Sequence, residues 1–119
     1  EVREAVPSIV GIKEAAGNAG QFAELVATRP SGFVVLSGDD DLAVEECAGG
    51  GDGLISVVAN EDPSGTATMI AAARAGDLAT ARLHRDRLAP LVSANFLESN
   101  PGPVKAAMAR MGLLDNRLQ

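Results

Sequence analysis

Apolar residues in this chain come in short continuous runs, and each run is followed by a stretch in which they recur every three or four positions. That alternation predicts strand, helix, strand, helix. The first run, Ser8 to Lys13, leads to a helix from Asn18 to Thr28 with Phe22, Leu25 and Val26 on one face, closed by Arg29-Pro30-Ser31-Gly32. Phe33 to Ser37 is apolar almost throughout, as in a parallel strand buried on both faces. It passes through Gly38 and Asp39-Asp40-Asp41 into a helix reaching Ala48. Gly49 to Gly53 turns the chain back into a third strand, Leu54 to Val58. The next helix opens at Asp62-Pro63, an oxygen cap followed by proline in the first helical position, and ends near Ala75 with Gly76 as a left-handed cap.

Beyond Gly76 the alternation stops. Asp77 begins a long helix in which Leu78, Ala81, Leu88, Leu91, Val92 and Asn95 share a face, and Asn100-Pro101-Gly102-Pro103 breaks it from a last helix, Val104 to Met111. The expected organisation is α/β: three βα units over residues 1–76 and a helical extension over 77–119. Repeated right-handed βα units give either an open doubly wound sheet or part of a (β/α)8 TIM barrel, and periodicity does not separate them. A full barrel needs about 250 residues, and this chain has 119. It also opens on Glu1 and holds neither Tyr nor Trp. The expectation is the carboxyl-terminal portion of something larger.

Composition narrows the function. The net charge is −6 and no basic stripe is present, which argues against a nucleic-acid partner. No apolar stretch approaches the roughly 18 residues of a membrane span, and no signal-peptide pattern opens the chain, so a cytoplasmic location is expected. Cys47 is the single cysteine and His84 the single histidine. A lone cysteine reads as a small core residue in a reducing compartment, and His84, set among Arg82, Arg85 and Arg87, as a solvent-facing residue on a charged helix. No zinc constellation can be built from them. Asp39, Asp40 and Asp41 read most simply as a cap and as favourable charge for the helix dipole, well ahead of a divalent-metal role. Glu14 and Asn18 are candidates for orienting the loop after Lys13, with capping an equal explanation for Asn18. Gly49 to Gly53 precedes a strand instead of opening a helix and lacks the setting of a phosphate loop.

Lys13 is the residue with chemistry to offer. It stands at the carboxyl end of the first strand, and in parallel α/β folds those ends are where loops converge on a site. A lysine has an ordinary pKa of about 10.4, and burial in such a place can lower it enough to leave a neutral amine that attacks a carbonyl. Position alone favours the plainer alternative, a stem lying along apolar surface with its head in water.

What reverses those odds is a set of four segments in order and in register. Ile9 to Asn18 (IVGIKEAAGN), Val35 to Asp40 (VLSGDD), Gly50 to Val57 (GGDGLISV) and Glu98 to Lys105 (ESNPGPVK) together resemble the dihydrodipicolinate synthase family. Each alone is weak, and the four together are strong. The resemblance runs over nearly the whole chain and covers the last three βα units of the family's TIM barrel plus the start of its helical extension. It implies a lyase of lysine and diaminopimelate biosynthesis that condenses pyruvate with aspartate semialdehyde, with no cofactor and no metal, as a cytoplasmic homotetramer. Lys13 matches the family's Schiff-base lysine. Ile55 matches the position whose backbone carbonyl lies near bound pyruvate, and Gly38 a glycine lining the same cavity. The order of Lys13, Gly38 and Ile55 at successive strand ends predicts in addition that all three point into one cavity.

The family's tyrosine proton shuttle, its partner tyrosine, its pyruvate-binding threonine and its entrance arginine belong to barrel units outside this chain. The expectation is therefore a fragment that lacks proper catalysis by itself. Gly102 stands where the family usually carries an aliphatic residue between two prolines. Two other readings compete: another pyruvate-dependent aldolase of the same fold, such as an N-acetylneuraminate or keto-deoxy sugar-acid lyase, and a non-catalytic half barrel that pairs through its open strand edges.

Overall fold

A computed structural model describes residues 5–115 and 117. Three parallel strands, β1 (Gly11–Glu14), β2 (Val34–Ser37) and β3 (Gly53–Leu54), form one sheet in the order β1-β2-β3. Gly11 pairs with Val34 and Lys13 with Leu36, while Leu36 also lies opposite Gly53. The helices α1 (Ala19–Thr28) and α2 (Ala43–Ala48) make the crossovers. A 3₁₀ turn at Val58–Asn60 then leads to α3 (Pro63–Arg74), α4 (Leu78–Asn95) and α5 (Gly102–Arg110).

Helix starts follow local chemistry. Asn18 caps α1 through the N–H groups of Gly20 and Gln21, Asp62 caps α3 through Gly65, and Asp77 caps α4 through Thr80. Gly76 turns the chain between α3 and α4 with φ +80°, a conformation that suits a residue without Cβ. A Cβ built on Gly102 would meet nothing within 4 Å, so an aliphatic side chain there would stand in open space.

Strands follow their partners, and two are shorter than their apolar runs. β1 begins at Gly11, not Ser8, because β2 begins only at Val34, whose N–H donates to the Val10 carbonyl. β3 stops at Leu54, short of Val58, because a side-chain carboxylate takes the N–H groups of Val57 and Val58. The expectation of burial on both faces is also corrected. Val35 and Ser37 are fully buried on the helix side, whereas Val34 on the other side is 38% exposed. Successive strand residues alternate between faces, and helices cover only one of them.

The core lies on that covered face. Val44 and Cys47 of α2, Val58 of the 3₁₀ turn, Met69 and Ala73 of α3, and Ala81 and Leu88 of α4 pack together, with Leu54 against them. The expected face of α4 is largely found, with Ala81, Leu88 and Asn95 buried, but Leu91 is 37% exposed. His84 does not face solvent as expected. It is half-buried because it lies one turn from both Ala81 and Leu88, which are buried, on α4, and its Nδ1 has no hydrogen-bond partner. Among the described residues, no helix is long and apolar enough to cross a membrane.

Candidate active site

The carboxyl ends of the three strands bring Lys13, Gly38 and Ile55 side by side. Gly38 follows β2 directly, and a Cβ built on it would lie 2.5 Å from Cε of Lys13 and 2.4 Å from Cβ of Ala15. No side chain fits there, so the lysine stem lies across a bare stretch of backbone. Ile55 follows β3, and its N–H donates to the Ser37 carbonyl at 2.9 Å. Since Lys13, Leu36 and Gly53 are register partners, Gly38 and Ile55, each two residues further on, fall on the same face as Lys13.

That face is open. Lys13 is exposed and Ile55 is 47% exposed, so the shelter expected around the amine is not formed by these three strands. Two clefts lie away from that face. The larger cleft, about 600 Å³, lies beside the strand ends and is walled by Asp39, Asp40, Asp41, Met69, Arg85 and Phe96 among others. A smaller one lies at the opposite end of the sheet, against Arg29, Val34 and Asp52. Neither is lined by Lys13, Gly38 or Ile55, which share the uncovered face of the sheet instead.

The surrounding polar groups are organised. Glu14 is buried and accepts the Ala16 N–H at 2.7 Å and the Gln21 side-chain amide at 2.8 Å, holding the chain just past Lys13 against α1. The aspartates do not cap α2. That helix starts later, after Leu42, without a side-chain cap. Asp39 accepts from the Gly17 N–H at 3.1 Å. Asp40 accepts from the Ser56 hydroxyl and from the N–H groups of Val57 (2.9 Å) and Val58 (3.3 Å). Asp41 is exposed. Local patterns miss these roles because the partners lie 22 and 16 to 18 residues away.

Burial pushes the Cys47 thiol up to about 11, which keeps it protonated and suits a core residue. Among the described residues, no three His, Cys, Asp or Glu side chains gather closely enough to hold a metal ion. At the far end of the sheet, the Val35 N–H and the Arg29 guanidinium hold the Asp52 carboxyl below the usual carboxylate range.

A model of the Dihydrodipicolinate synthetase family matches residues 2–118, nearly the whole chain. The chain belongs to that family. A 4-hydroxy-tetrahydrodipicolinate synthase from Acidobacterium capsulatum is 49% identical over 114 residues, which are 95% of this chain and 37% of that protein. The dihydrodipicolinate synthase structure from Aquifex aeolicus superposes with a TM-score of 0.94 at 35% identity, covering 99% of this chain and 40% of that one. A chloride-inhibited dihydrodipicolinate synthase from Acinetobacter baumannii, solved with pyruvate, gives 0.91 at 40% identity over 99% and 41% of the two chains. The choice falls to the barrel: the three βα units superpose on part of the (β/α)8 barrel of dihydrodipicolinate synthases. The chain spans about 37% of the length of the curated relatives it matches.

Proposed function

We propose that Lys13 is the Schiff-base nucleophile of a 4-hydroxy-tetrahydrodipicolinate synthase, acting on pyruvate and then on aspartate semialdehyde in lysine and diaminopimelate biosynthesis. The observation that carries this reading is the lysine stem laid across Gly38 at the carboxyl ends of adjacent parallel strands, with Ile55 on the same face.

In the proposed reaction the neutral Nζ adds to the ketone carbon of pyruvate and water leaves, forming an iminium. The iminium draws electrons from the methyl carbon, which loses a proton and becomes an enamine. The enamine carbon attacks the aldehyde, and the amine of the second substrate closes the ring and displaces Lys13. Gly38 leaves room for the keto acid beside the lysine, and the Ile55 backbone offers a carbonyl to it. The open side of the sheet, where Val34 and Ile55 are uncovered, is where the further strands of a barrel would close over Nζ. Proton donors for turnover would come from those strands, so the 119-residue chain alone is proposed to form the pyruvate adduct without completing the cycle. A cytoplasmic homo-oligomer, tetrameric as the resemblance implies, completes the reading.

The test is trapping. Pyruvate and borohydride should add the mass of one reduced pyruvate adduct to the folded chain, on a peptide containing Lys13, and Lys13→Ala should abolish the gain. A folded sample that gains no mass overturns the reading in favour of a non-catalytic half barrel. If the adduct forms, adding aspartate semialdehyde or a sugar-acid aldehyde before reduction, in the presence of the missing barrel strands, separates the synthase from a sugar-acid lyase.

A further inference from the structure

Two neighbouring carboxylates at the end of the central strand reach in opposite directions. Asp39 binds back to Gly17, in the loop that leaves Lys13. Asp40, only 4% exposed, reaches across to Ser56, Val57 and Val58, in the loop that leaves Ile55. The Ser56 hydroxyl oxygen in turn accepts the Ala59 N–H at 2.8 Å, so Asp40 anchors the whole 3₁₀ turn that follows. Gly38, over which the lysine lies, immediately precedes this pair.

We infer that Asp39 and Asp40 are positioning residues that fix the Lys13 loop and the Ile55 loop on either side of Gly38, and so set where a keto acid bonded to Lys13 sits. The inference rests on Lys13 being the nucleophile. It explains why two carboxylates stand where a helix start needs only one, and why neither serves that helix. In the proposed function Ile55 acts through its main chain, so its placement depends on the backbone. Asp40 holds that backbone through two amides and a hydroxyl. Charge-assisted hydrogen bonds of this kind are stronger than neutral ones, and deleting the acceptor leaves its donors unmet. Asp39, with a single such bond and partial exposure, contributes less.

The full chain and its Asp40→Ala, Asp40→Asn and Asp77→Ala variants are mixed with pyruvate over a concentration series and quenched with borohydride at timed intervals. The limiting rate of Lys13 adduct formation should fall about tenfold or more in Asp40→Ala, since a misplacement near an ångström costs up to about a hundredfold. Asp40→Asn keeps an oxygen for the Val57 and Val58 amides and should restore most of the rate. Asp77→Ala, which removes the α4 cap, should lower thermal stability and leave the rate alone. A folded Asp40→Ala with the wild-type rate, or an equal fall in Asp77→Ala, overturns the proposal. Should Asp40→Ala not fold, Ser56→Ala removes one of the same donors; a smaller fall supports the inference and an unchanged rate refutes it. A wild-type chain that forms no adduct refutes the Lys13 reading itself, and the positioning role with it, which keeps the two failures distinct.

Discussion

Glu46 is a buried carboxylic acid: it is 6% exposed on α2, and its Oε2 has no hydrogen-bond partner. Burial raises its pKa above the ordinary 4.5, the Ser37 hydroxyl partly opposes this, and the Asp39 and Glu14 carboxylates add to the rise. The folded state therefore holds this proton at pH values where the unfolded chain has released it, so stability falls as pH rises from about 4.5 through the folded pKa. Glu46→Gln, which carries no charge to bury, should be more stable than wild type at pH 7, with the difference shrinking toward pH 4. Urea midpoints at the two pH values check this, and an equal difference at both would refute it. None of it shows in the local sequence, where Glu45-Glu46 is simply acidic residues near a helix start. The strand-end position of Lys13, by contrast, can be read from the ten residues around it, whereas its proposed role rests on four segments spread from Ile9 to Lys105.

At the scale of elements, signals closed within four residues were readable and signals needing a distant partner were not. Asn18, Asp62 and Asp77 cap the helices they precede, as their sequence setting implies. Asp62 does more. Its Oδ1 takes the Gly65 N–H at 2.8 Å, and its Oδ2 pairs with Arg87 of α4 at 3.2 Å, tying the start of α3 to its neighbour. Replacing it with Ala should cost about 1 kcal/mol through the lost cap, with little added by the exposed ion pair. Arg87→Ala should then shift the thermal midpoint much less than Asp62→Ala, as calorimetry would show. Strand lengths escaped the sequence because pairing decides them. Leu54 to Val58 is one apolar run, yet Asp40 takes its last amides out of the ladder.

For the molecule as a whole, the unit types and their order were plain from alternation, while the covering of the sheet was not. Phe33 to Ser37 reads as buried on both faces, but Val35 and Ser37 meet helices and Val34 and Lys13 do not. Among the described residues β2 has a strand on each side and β1 has one neighbour. Native-state hydrogen exchange should accordingly be slowest at Val34 to Ser37 and faster along Gly11 to Glu14, where one edge is unpaired. Equal protection of the two strands would mean that the free edge of β1 is covered in solution. The fit of the Lys13 stem over Gly38 also bears on how the sheet assembles. If β1 slid along β2 by one residue pair, Leu36 or Asp40 would come under the stem, where a hydrogen atom is all that fits. The crossing therefore makes the native alignment of β1 on β2 the one that fits the lysine stem and the Ala15 methyl group without displacement.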